Sequence, residues 1–246
     1  ETSLDRASVT FSRKLGDALD LAGDATGADG VLREALELAG PADRERPRML
    51  VLLSRVARRR NRARDATRLL GRALELFQRQ GDRGGEAEAH LALGRLRLAD
   101  GDARIAADTL DTARELALAE GDDASVPVIE ASLARAEALA AVGDREGALA
   151  LLEGARAAAE KNGAGVLLAD VLVALADAFG DEDPRTPPLL REAARVAAAA
   201  GDAEAARDHQ RRGRGSEARE ARCGQAWPGR FRVSALTRPG GSALDP

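Results

Sequence analysis

The sequence predicts an all-α solenoid of about five helical hairpins over residues 1–210, followed by a flexible tail over 211–246. Three observations predict it. A Leu followed three residues later by an Ala recurs at Leu32/Ala35, Leu70/Ala73, Leu110/Ala113, Leu152/Ala155 and Leu190/Ala193, so the Ala-to-Ala steps are 38, 40, 42 and 38 residues; a period in that range signals stacked helical hairpins. A Gly-Asp pair punctuates the helical stretches at Gly23-Asp24, Gly81-Asp82, Gly101-Asp102, Gly121-Asp122, Gly143-Asp144, Gly180-Asp181 and Gly201-Asp202. Gly takes the left-handed conformation that ends one helix, and Asp accepts backbone N–H groups at the start of the next. No alternating apolar run of strand length is bounded by hairpin turns.

The units follow in order. The first places Leu15, Gly16 and Leu19 in helix A and Ala28, Leu32 and Ala35 in helix B; the second has Leu53, Ser54 and Ala57, then Ala66, Leu70 and Ala73. In the third, helix A is expected over about 85–99 and helix B over about 103–119, with Leu93, Gly94, Ala106, Leu110 and Ala113 at the same offsets. The fourth sets Leu133, Ala136, Leu139 and Val142 against Ala148, Leu149, Leu152 and Ala155. The fifth is degenerate, with Ala174, Leu190 and Ala193 in place and Thr186 where an Ala is expected. Apolar residues at helical spacing, with Arg and Glu opposite, give each helix one core face.

These offsets resemble the tetratricopeptide repeat family: a large then a small residue in helix A, and Ala, a bulky apolar residue and Ala in helix B. Small residues sit where helices A and B cross, and the Leu fills the layer between hairpins. The resemblance covers roughly residues 4–210. The family period is 34, so the longer units here resemble the repeats of bacterial regulators. It implies a right-handed superhelix and a protein-binding role, as an interaction scaffold or regulatory module in a larger bacterial signalling protein. The alternative is a small-effector sensor domain of a kinase or transcriptional regulator.

Composition narrows the function further. Aromatic content is 2%, with no Tyr and one Trp, which argues against a nucleobase-stacking platform and hence against a nucleic-acid partner. No run of about 18 apolar residues predicts a membrane span, and no hydrophobic leader precedes the first unit, so a cytoplasmic location is expected. The absence of Met before Glu1 points to a fragment of something longer. Cys223 is the single cysteine and has no partner for a disulfide or thiolate site. His90 and His209 lie in separate units without metal spacing, and the Gly-Asp turns lack the Lys-Ser or Lys-Thr of a phosphate loop. No catalytic residue, cofactor or metal is expected, and the chain is read as a non-enzyme.

Of the 37 basic residues only Lys14 and Lys161 are lysines. The segment 211–246 carries eight Arg against Glu217, Glu220 and Asp245, a net +5, which leaves −9 on residues 1–210. With Gly213, Gly215, Gly224, Gly229, Gly240 and Gly241 it lacks a helical period. In solenoids of the resembled type helix A lines the concave groove. That places Arg13 and Lys14, then Arg48, Arg55, Arg58 and Arg59, then Glu88 and Arg95 along a basic first half. Leu133, Glu137, Leu168, Val171, Leu172, Leu175 and Phe179 follow as a more apolar second half. The candidate binding residues are therefore Arg13, Arg48, Arg55, Arg58, Arg59, Arg95, Leu172, Leu175 and Phe179. The expected partner is a protein or peptide segment with an acidic portion and a hydrophobic anchor.

Overall fold

A computed structural model describes residues 3–40 and 43–225. Among them are eleven helices: α1 (Ser3–Leu21), α2 (Ala25–Leu38), α3 (Arg46–Arg59), α4 (Ala63–Gln80), α5 (Arg83–Ala99), α6 (Ala103–Glu120), α7 (Val126–Val142), α8 (Arg145–Asn162), α9 (Gly165–Phe179), α10 (Thr186–Ala199) and α11 (Ala203–Gln225). Consecutive helices pack on each other from α1 to α11, making five antiparallel hairpins and a final single helix. The odd-numbered helices α1, α3, α5, α7 and α9 also touch their next odd-numbered neighbours. They form the inner layer, and α2 to α10 of the even series form the outer one.

The punctuation works as chemistry requires at most turns. Asp24, Asp82 and Asp144 accept the N–H of Gly27, Gly85 and Gly147 at 2.8, 2.8 and 2.9 Å, capping α2, α5 and α8. Gly23, Gly81, Gly101, Gly143 and Gly201 adopt positive φ. Two turns differ. Gly121 is extended at φ −142°, because the connection to α7 is longer and Asp122 caps the N–H of Ala124 instead. In the second hairpin Asn61, at φ 56°, takes the left-handed place that Gly fills elsewhere; Asn tolerates it by local hydrogen bonding.

The core follows the predicted offsets in the first four hairpins. Leu32, Leu70, Leu110 and Leu152 are buried, as are Ala28, Ala66, Ala106 and Ala148. Gly16 and Gly94 sit so close to helix B that an added Cβ would lie 2.5 Å from Leu32 Cγ and 2.4 Å from Leu110 Cγ. The small position of helix A is thus a contact between helix axes, as the packing of ridges into grooves demands.

The fifth hairpin departs from the expected register. Ala176, not Ala174, is the buried small residue of α9, and the connection 180–185 is longer than those at 22–24, 60–62 and 100–102. Counting back from α10 through that longer connection misplaces α9 by two residues, about 200° of rotation on a helix. Thr186, expected as a defect in helix B, is buried and donates its hydroxyl to the carbonyl of Gly180 at 2.6 Å. It closes the longer connection.

The helix α11 continues through Arg211–Gln225, part of the segment read from sequence as a tail. Gly213 is buried against α10, where an added Cβ would lie 3.4 Å from Leu190 Cβ. A glycine read as a breaker is the close-approach residue of a terminal helix that covers the last hairpin. The rest of the expected tail, 226–246, lies outside the described residues.

Candidate partner-binding groove

The inner helices present two rows of charge, each pair seven residues apart and so two turns apart on one face. The first row is Arg48 on α3, Glu88 on α5, Glu130 on α7 and Asp170 on α9; the second is Arg55, Arg95, Glu137 and Asp177. Two cavities run between them. One, of about 380 Å³, is lined by Arg55, Arg58, Glu88, Leu91, Arg95 and Glu130 among others. The next, of about 540 Å³, is lined by Arg95, Leu133, Glu137, Asp170, Val173 and Asp177, and reaches His209 on α11. Arg95 belongs to both cavities, which makes them one groove.

The electrostatics report the groove's concavity. Glu88, Glu137 and Asp170 are all accessible to water, yet the surrounding walls raise the pKa of each, chiefly by desolvation. Neighbouring basic groups oppose that rise and do not cancel it: Arg48, Arg55 and Arg13 around Glu88, Arg95 beside Glu137, and His209 and Arg95 beside Asp170. A carboxylate that is wet and still desolvated lies on the floor of a cleft.

The predicted basic residues divide into two kinds. Arg13 pairs with Glu45 and donates to it from Nε. Arg48 pairs with Asp82 at 2.8 Å, with its guanidinium 5.9 Å from the ring centre of Phe77. Arg55 lies 3.1 Å from Asp20 and 3.3 Å from Asp17, and Arg59 lies 3.3 Å from Asp20 and donates to its backbone carbonyl at 2.7 Å. The Asp20 carboxylate is 0% exposed, so these two arginines hold a buried charge between the first and second hairpins. Arg58 and Arg95, by contrast, are exposed and make no ion pair within 4 Å among the described residues.

The apolar half requires correction. Leu172 and Leu175 are 0% exposed and belong to the core between the fourth and fifth hairpins; they are unavailable to a partner. Phe179 lies beneath the Arg185 guanidinium, 3.6 Å from its ring centre. The two-residue register shift explains all three, because it exchanges the core face of α9 for its groove face. Asp170 and Asp177 stand there instead, and Asp177 pairs with Arg212 of α11. Sequence reasoning missed these two carboxylates, although their seven-residue spacing repeats that of Glu88/Arg95 and Glu130/Glu137.

The architecture defines a class: an α-solenoid of antiparallel hairpins whose inner helices form a charged groove. Its fold is that of the tetratricopeptide repeat proteins. No protein-family model matches the sequence, and no curated protein matches it. Among solved structures, it is similar to a signal transduction ATPase with numerous domains from Pyrococcus horikoshii that carries a tetratricopeptide repeat sensor (TM-score 0.69, 15% identity), covering 85% of this chain and 31% of that one. It is also similar to the apo form of RapI (TM-score 0.65, 12% identity; 91% and 86% covered). A Rap protein complexed with competence and sporulation factor matches at TM-score 0.65 and 15% identity, over 88% and 65% of the two chains. At such identities the likeness is one of fold. Among the described residues no helix is long and apolar enough to cross a membrane, and no group of three or more His, Cys, Asp or Glu is placed to hold a metal ion.

Proposed function

We propose that this chain is a non-enzymatic interaction module that holds a segment of a partner protein in its concave groove, as part of a larger bacterial signalling protein in the cytoplasm. The observation that carries the reading is the groove itself: two joined cavities along α3 to α9 in which Glu88, Glu137 and Asp170 are exposed and Arg58 and Arg95 beside them make no ion pair within 4 Å among the described residues. Polar groups in that state gain by meeting complementary groups. The helices that hold them are preformed, so binding orders little of the receptor. A Rap protein of the same fold is complexed with competence and sporulation factor, which supports a module that holds a ligand.

The test uses groove-filling substitutions that leave the ion pairs intact. Ala92→Phe and Ala174→Phe project into the two cavities from their linings. Affinity capture from lysate with the native chain as bait should retain a protein that the double variant loses, with the helical content of the variant unchanged by circular dichroism. Equal retention by both baits refutes the groove as the binding site.

A further inference from the structure

Along the groove the sign of the charge reverses. The second row reads Arg55, Arg95, Glu137, Asp177 from α3 to α9, and the first reads Arg48, Glu88, Glu130, Asp170. Much of this charge is already matched inside the protein: Arg55 by Asp17 and Asp20, Arg48 by Asp82, and Asp177 by Arg212. What is left unmatched by any ion pair within 4 Å among the described residues leans to opposite signs along the groove. Arg58 on α3 and Arg95 and Glu88 on α5 leave one net positive charge, whereas Glu130 and Glu137 on α7 and Asp170 on α9 are all negative. Apolar side chains line the floor among these charges, Leu91 and Ala92 of α5, Leu133 of α7, and Val173 and Ala174 of α9.

We infer that the groove selects an extended segment bearing charges of both signs, with an acidic side chain over Arg58 and Arg95, a basic side chain over Glu137 and Asp170, and small apolar residues between. This rests on the groove being the binding site. It changes the partner from the acidic, hydrophobically anchored segment that the sequence implies to a dipolar one. The spacing follows from helix packing. Neighbouring inner helices lie about 8–10 Å apart, so the unmatched charges of opposite sign, one to three inner helices apart, are separated by roughly 8–30 Å. At about 3.3 Å per extended residue, the acidic and basic side chains of the segment stand about two to nine residues apart.

The desolvation of the carboxylates gives this polarity its force. Arg95 faces both Glu137 and Asp170, and His209 faces Asp170 from α11, yet burial outweighs them in each case. The α7–α9 end therefore holds more negative charge than its own cations satisfy. An added ammonium or guanidinium there meets a pair of carboxylates already stripped of part of their water. An acidic side chain at that end would meet like charge, so the same arrangement rejects a uniformly acidic segment.

The experiment is panning of a phage-displayed random sixteen-residue peptide library on the full chain. Enriched peptides are then measured by fluorescence anisotropy against the native chain, Arg58→Gln/Arg95→Gln and Glu137→Gln/Asp170→Asn. The enriched peptides should carry acidic and basic side chains about two to nine residues apart. Each double variant should weaken them about three- to tenfold at low salt, and replacing the peptide's basic residues should remove the effect of Glu137→Gln/Asp170→Asn alone. Peptides that respond to the arginine pair and not to Glu137→Gln/Asp170→Asn overturn the dipolar inference and leave the groove reading standing. Peptides indifferent to both variants, or no enrichment at all, overturn the groove reading with it.

Discussion

The same substitution should have opposite signs at two glycines of neighbouring hairpins. Gly94→Ala and Gly71→Ala each replace a helix-interior Gly, in α5 and α4, and each gains about 0.5–1 kcal/mol from reduced backbone entropy in the unfolded chain. At Gly71 nothing lies within 4 Å of the added Cβ, so the gain stands alone. At Gly94 the Cβ arrives 2.4 Å from Leu110 Cγ and 2.6 Å from Leu110 Cδ2. Ordinary contact requires about 1 Å more, and Leu110 is 0% exposed within the packed layer, so it has no open space to move into. Forcing α5 and α6 apart costs about 1–3 kcal/mol, which exceeds the propensity gain. Urea unfolding followed by circular dichroism should place the midpoint of Gly94→Ala below that of the native chain and the midpoint of Gly71→Ala above it. If Gly94→Ala is as stabilising as Gly71→Ala, the close crossing of α5 and α6 is wrong, and with it the reading of the small position throughout the repeats.

Two further predictions bear on charge. Removing the counter-ions of the buried Asp20 by Arg55→Ala/Arg59→Ala should cost about 2–4 kcal/mol: the loss of a buried carboxylate's partners is worth about 3–5, reduced because both guanidinium groups are about a third exposed. Asp20→Asn in that background should restore most of the loss, measured again by urea unfolding. For pH, Glu137 and Asp170 have folded pKa values above their unfolded ones. The folded state therefore binds more protons just above the ordinary carboxylate range, and these groups favour folding less as pH rises through that window. Glu137 faces Arg95 of α5 and Asp170 of α9, and Asp170 faces Arg95, His209 of α11 and Asp202. Glu137→Gln/Asp170→Asn should melt higher than the native chain at pH 7, with the difference shrinking toward pH 4; a difference that grows on acidification contradicts the desolvation argument.

The parts of this fold that were legible in the sequence are those set by short-range rules. Helix ends follow from Gly at positive φ and Asp at the next cap, and four hairpins follow from small residues at fixed offsets because each offset is a local helix crossing. Charge pairing was not legible. Arg48 meets Asp82 and Arg59 meets the carbonyl of Asp20 across 34 and 39 residues, joining neighbouring hairpins, and composition does not distinguish an arginine so engaged from one facing a partner. The continuation of α11 was hidden for a related reason. Gly213 lowers helix propensity wherever it stands, and only its neighbour Leu190 shows why it is tolerated.

The α9 register shows why function is harder to read than fold. A two-residue slip leaves the prediction of a helix untouched, since α9 forms in either register, and it barely disturbs the apolar count of the core. It turns the helix by about 200°, however, and so exchanges every side chain offered to a partner. Leu172 and Leu175 go from groove to core, Asp170 and Asp177 come to the surface, and an apolar wall becomes an acidic one. The slip originates in the connection 180–185, whose added length is taken up by Thr186 and its bond to the Gly180 carbonyl. Counting forward from α7 instead of back from α10 puts Glu137 and Asp177 in one row, 40 residues apart, the same step that separates Arg55 from Arg95. In a solenoid the binding face is continuous along the inner helices, so its register is read along that layer and not across a hairpin.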